Sequence, residues 1–226
     1  MKNLFMSALV VLFVLVTTSG PGFGEKVTVT LQCGGDASVG TWYPDSNNGG
    51  SDTLSAGRGV AYGGYSTTRS HLRFYLQSIP ANATFLSATL SLFFWSANSE
   101  EVSSINFDVH YVASWAWDEF AITWNTQPSF QQLLARTAIP NTTYKVRKNW
   151  DLLANGNWNY AADLQGDKVL SVLIKVENDL VLPTKFGSFQ SREYANLDWR
   201  PYLRIEYEVP DPPRRITLPL GLLLDD

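Results

Sequence analysis

The run His71-Leu-Arg-Phe-Tyr-Leu-Gln77, followed by Ser78-Ile-Pro-Ala-Asn-Ala83 and then Ala88-Thr-Leu-Ser-Leu-Phe-Phe94, decides the fold of this chain. Leu72, Phe74 and Leu76 alternate with His71, Arg73, Tyr75 and Gln77. Ala88, Leu90, Leu92 and Phe94 alternate with Thr89, Ser91 and Phe93. A period of two puts apolar side chains on one face of an extended strand. Ile79-Pro80-Ala81-Asn82 is turn chemistry, so the two runs are neighbouring antiparallel strands.

The same period recurs outward from this pair. Val27, Val29 and Leu31 alternate with Thr28, Thr30 and Gln32. Phe107, Val109 and Tyr111 alternate with Asn106, Asp108 and His110. Leu203, Ile205 and Tyr207 alternate with Tyr202, Arg204, Glu206 and Glu208. Residues 169–176 form a continuous β-branched and Leu-rich run that suits a strand buried on both faces. Asn47-Asn-Gly-Gly50 and Tyr62-Gly-Gly-Tyr65 supply further turns. Helical periodicity is confined to one short helix expected within 149–164, where Asn149-Trp-Asp-Leu-Leu153 offers a cap before apolar residues. The pattern predicts an all-β, two-sheet antiparallel β-sandwich, jelly-roll-like, with at most one or two short helices.

Composition bounds the function. The 226 residues are 45% hydrophobic, which excludes a disordered chain. A pI near 5.2 with no basic block excludes a nucleic-acid binder. The single cysteine, Cys33, forms no internal disulfide. The aromatic load is high, with 8 Trp, 10 Tyr and 12 Phe.

The ends differ from the middle. Met1-Lys2, the apolar run Leu4–Val16 and the small residues Thr17-Thr-Ser-Gly20 have the anatomy of a secretory signal over 1–24. The run is too short to span a membrane, and the mature chain is expected to hold no transmembrane helix. The expected domain is 25–208, and the location secreted, extracellular or at a cell surface. Residues 209–226 read as a hinge, Pro210-Asp-Pro-Pro213, followed by an apolar tail at 216–224. Such a tail can add a strand to a neighbour's sheet edge, fold back on its own sandwich or anchor loosely to a membrane.

Four ordered motifs carry a family resemblance. They are Arg69-Ser-His-Leu-Arg-Phe-Tyr-Leu76 with Ser78-Ile-Pro-Ala-Asn-Ala-Thr84 and Ser87-Ala-Thr-Leu-Ser-Leu92; Trp117-Asp-Glu-Phe-Ala-Ile-Thr-Trp-Asn-Thr-Gln-Pro128; Phe186-Gly-Ser-Phe-Gln-Ser-Arg-Glu193 with Pro201-Tyr-Leu-Arg-Ile-Glu-Tyr207; and an opening Asn47-Asn-Gly49 with Leu54-Ser-Ala-Gly57. Over roughly 26–208 the chain resembles the DNRLRE domain family, also described as carbohydrate-binding module family 96. The resemblance implies a secreted β-sandwich that binds polysaccharide, alginate in characterised members.

Sugars present apolar C–H faces and hydroxyl edges, which suit aromatic platforms beside planar polar groups, and acidic sugars suit Arg. Alternation places His71, Arg73 and Tyr75 on one strand face, and Asn106, Asp108 and His110 on another. If both line one sheet, they form a polar groove. Trp42 and Tyr43 beside the Gly/Asn-rich loop are further candidate platforms. Against this stands a structural reading, in which Arg69, Arg73 and Glu193 form ion pairs that fix the fold, together with the motif residues Trp124, Asn125 and Arg192. Trp115, Trp117 and Trp124 lie in a loop and plug the end of a sandwich or stack on ligand.

No cofactor is required by these motifs. Asp36, Asp45, Asn47 and Asp52 are oxygen donors in an N-terminal loop and the candidate ligands of a structural Ca2+, with solvated loop residues as the competing reading. Two histidines without metal spacing make no zinc centre. No Ser-His-Asp context, nucleophile elbow or phosphate loop is present, so no catalytic residue is assigned. Two functions remain: a non-catalytic carbohydrate-binding module whose partner is a polysaccharide, or a structural cell-surface or filament subunit forming a homo-oligomer through 216–224.

Overall fold

The structure, a computed structural model, describes residues 15–17, 24–61, 64–99, 102–181 and 183–210. The greater part of the leader, the turn at Tyr62-Gly63 and the apolar tail 216–224 lie outside the described residues.

The described residues form twelve strands: β1 Leu15–Thr17, β2 Glu25–Gln32, β3 Gly35–Gly40, β4 Thr53–Ala61, β5 Gly64–Tyr75 and β6 Thr84–Asn98, then β7 Ser104–Tyr111, β8 Leu133–Pro140, β9 Val146–Asp151, β10 Val169–Val176, β11 Lys185–Gln190 and β12 Tyr202–Val209. The fold is all-β, as the alternation implies. Every pairing is antiparallel. The hydrogen-bonded order is β1-β2-β12-β6-β11-β4-β5-β10-β7-β8, with β3 on β5 and β9 on β6.

The sandwich-like body is therefore one continuous sheet curled on itself rather than two separate sheets. The long strands explain this. β6 has 15 residues and changes neighbours along its length, pairing β12 through Thr84–Ser91 and β11 through Phe94–Asn98. Register shifts at Ser188/Phe189, Glu206/Tyr207 and Val109/His110 add the local bends that curling needs.

The core fills the inside of the curl. Phe74, Phe94, Phe107, Phe189 and Trp150 are fully buried with Leu72, Leu90, Leu92 and Leu54. Phe94, Phe107 and Phe189 meet edge to face, and the Trp150 indole N–H donates to the Phe107 carbonyl at 3.0 Å. A buried indole needs such a partner. Gly187 is required here, because a Cβ at that position would lie 2.4 Å from the Phe107 ring.

The expected helix is displaced. Asn149-Trp150-Asp151 ends β9, whose register with Thr89–Phe94 carries Trp150 into the core. The helix α1 begins later, at Tyr160–Gln165, capped by Asn159. No helix among the described residues is long and apolar enough to cross a membrane.

Candidate functional site

The two polar rows do share one sheet. β10 lies between β5 and β7, and Leu173 is opposite both His71 and His110. Their face is covered, however, so the expected open groove does not form. The loop 112–132 lies across it as a second, smaller core. Trp117 packs with Ala37, Val39 and Ile122, and its indole N–H donates to Ser171 Oγ at 3.0 Å. The tryptophans thus cap the outer face of the sheet, not the end of the sandwich.

The polar residues below hold that loop. Arg69 stacks under Trp124 at 4.7 Å and pairs with Asp179 at 2.7 Å. His71 is 0% exposed, packed on Trp117, with Nε2 3.4 Å from Gln127 Oε1. Burial holds the ring neutral and lowers its pKa to about 4. Arg73 donates to the carbonyls of Trp115 and Trp117 and lies over the Trp117 and Tyr75 rings. Asp108 is buried in a bidentate pair with Arg136. His110 packs on Phe130 and bonds the Gln131 carbonyl, and burial lowers its pKa. Of this group only Tyr75 is exposed, at 43%.

The N-terminal loop residues are likewise dispersed. Tyr43 is exposed and meets the Trp42 ring edge-on. Asp45 accepts from Asn125 Nδ2 at 2.8 Å, and Asp52 accepts from the Thr53 hydroxyl. Asn47 clasps the turn after Trp117, its amide donating to the carbonyls of Glu119 and Ile122. Gly49 fits beside it because a Cβ would come 2.0 Å from the Glu119 carbonyl oxygen. The four proposed metal ligands are therefore not one site. Among the described residues only Asp36 of that set joins a compact acidic group, with Glu119 and Glu193. Arg192 ties that group together by pairing with Glu119.

A different surface combines aromatic rings with cations, and it lies on the outer face of β6. Phe93 and Trp95 alternate outward from the buried Leu92 and Phe94. The turn 191–201, between β11 and β12, folds over them. Trp199 stacks between Phe93, at 4.3 Å, and Tyr194, at 5.4 Å, and lies 6.1 Å from Trp95. Arg147 of β9 holds the turn by donating to the carbonyls of Asp198 and Arg200, while lying over the Tyr202 ring. Its burial lowers its pKa. Lys145 sits between two rings, 4.6 Å from Trp95 and 4.9 Å from Tyr144. Tyr144 and Arg204 are exposed at its margins. Sequence alternation marks Phe93 and Trp95 as outward. It gives no sign that residues 194–199, about a hundred positions later, cover them.

The model of carbohydrate-binding module family 96 matches residues 27–207. The chain belongs to that family. The match runs from β2 into β12 and so takes in every strand of the sheet but β1. Among curated proteins no match is found. Modules of this kind are generally non-catalytic, and the chain is a carbohydrate-binding module by family.

Proposed function

We propose that this family-96 module is exported and binds an acidic polysaccharide without catalysis, through the outer face of β6, β9 and the 191–201 turn. The observation that carries the reading is Trp95 flanked by Lys145 and Trp199. A half-buried indole offers a flat apolar surface to the C–H face of a sugar ring. A lysine 4.6 Å from that ring supplies positive charge for a carboxylate at the sugar's edge. Tyr144, Tyr202 and Arg204 extend the same chemistry along the strands, as a polymer requires. The turn is pre-organised by Arg147 and by the Phe93–Trp199–Tyr194 stack, which lowers the entropy lost on binding.

Affinity electrophoresis through gels containing a polyuronate such as alginate, or a neutral glucan, tests this. The polyuronate is expected to retard the protein, with Trp95→Ala and Lys145→Ala each weakening retention. Tyr75→Ala, at the exposed end of β5, serves as the comparison. Loss of retention in Tyr75→Ala but not in Trp95→Ala would move the site. Absence of retention by every acidic polysaccharide tried would end the reading.

A further inference from the structure

Three carboxylates meet where distant segments converge. Asp36 comes from β3, Glu119 from the 112–132 loop and Glu193 from the turn after β11. One carboxylate oxygen from each lies within 4.8 Å of the other two. Asp36 is 1% exposed. Its N–H donates to Glu119 Oε1 at 2.8 Å, and its Oδ2 accepts from the Arg192 N–H at 2.9 Å. Its Oδ1 is buried and has no hydrogen-bond partner, and the same is true of Glu193 Oε2. Arg192 is the cation in ion-pair contact, 2.5 Å from Glu119 Oε2 and 3.5 Å from Glu193 Oε1.

Ionised, the cluster sets three negative charges against the Arg192 guanidinium, with Arg73 a second cation near enough to act on Glu119. Even with both cations counted the cluster keeps a net negative charge, and two buried oxygens stand without a donor. Such an arrangement is costly unless something positive occupies the space between them.

We propose that a Ca2+ ion binds between Asp36, Glu119 and Glu193. The residual negative charge favours a cation in the space between them. The donors are all hard oxygens, with no imidazole or thiolate in the group. Oxygens on opposite sides of Ca2+ stand up to roughly 4.6–5.2 Å apart, given bonds of about 2.3–2.6 Å, whereas Mg2+ requires about 4.2 Å or less. The Glu193 side chain is 24% accessible, which gives the ion a route from solvent and room for water ligands. The ion then joins β3, the Trp-rich loop and the turn that carries Trp199. The site rests on its own geometry and stands whether or not the polysaccharide reading holds.

Calorimetric titration of the chelator-stripped full chain with CaCl2, with thermal melting in Ca2+ and in chelator, tests it. One Ca2+ per chain and a higher melting temperature in Ca2+ are expected. Asp36→Asn and Glu193→Gln should each weaken uptake by at least about tenfold. Asp45→Asn and Asp52→Asn should leave it unchanged. If Asp36→Asn fails to fold, the more accessible Glu193→Gln decides. No uptake, with equal melting in Ca2+ and chelator, overturns the proposal and leaves a proton shared by Asp36 and Glu193. Uptake undiminished in Glu193→Gln also overturns it.

Discussion

The indole of Trp199 lies flat on the ring of Phe93, with centroids 4.3 Å apart and planes 4° from parallel. Trp199 is thereby the middle of a three-ring stack completed by Tyr194. Trp199→Ala removes both stacked ring contacts, each worth about 0.5–1.5 kcal/mol beyond area burial. Urea denaturation should show a loss of roughly 1–3 kcal/mol. Polysaccharide retention should also fall, since the turn no longer has a fixed position. The same stability loss with unchanged retention would make the stack structural only.

Gly49 faces the Glu119 carbonyl at a distance that admits no side chain. Backbone cannot yield as a flexible side-chain tip does. Gly49→Ala should therefore cost about 1–3 kcal/mol, the range for an overpacked site. Gly50, one residue on, has open space at its Cβ position and is the control. Gly50→Ala should melt close to wild type. Equal melting of the two variants would contradict the close approach.

Asp179 is buried and receives both Arg69 and Lys175, at 2.7 and 3.3 Å. Removing it leaves two buried cations without their counter-charge. Asp179→Ala should destabilise by about 3–5 kcal/mol, the usual cost of breaking a buried pair from one side. Chemical denaturation measures it. A change below about 1 kcal/mol would place the pair in the class of surface bridges.

His71 titrates near pH 6.5 when unfolded and near 4 in the folded chain. Between these values the unfolded chain takes up a proton that the folded chain refuses. The neutral ring's contribution is thus complete above pH 6.5 and is lost as pH falls toward 4, amounting to roughly 3 kcal/mol. Arg69 adds to the effect by repelling a charged ring. Burial raises the pKa of Glu119 and Asp163, and those carboxyls act in the opposite sense. The comparison is therefore wild type against His71→Gln. Wild type should lose stability relative to the variant through that window. Parallel curves would show that His71 does not titrate as its burial requires.

Much of the fold was legible because strand alternation is local. Leu72, Phe74, Leu90, Leu92, Phe107 and Val109 all face the core as their period requires. The helix was misplaced because a polar cap before apolar residues does not distinguish a helix start from a strand carrying Trp150 inward. Alternation groups each polar row on one face of its strand, and pairing through β10 puts both rows on one sheet. What covers that face is a tertiary fact that period two cannot state. Arg69, His71 and Arg73 look alike in sequence whether they meet solvent or a loop of tryptophans. The partners of Asp36 lie 83 positions away at Glu119 and 156 away at Arg192, beyond any local pattern.

The position of β12 also fixes an order of events during synthesis. Its residues 202–209 insert between β2 and β6, pairing Leu203 with both Leu31 and Leu90. The native neighbour of β2 is thus β12, the last strand among the described residues. No partial chain can close the sheet, and contacts of such long sequence separation form slowly. A ribosome must release nearly the whole domain before it can fold. Until then the strands that flank β12 hold their edges unpaired, and the core they close stays open.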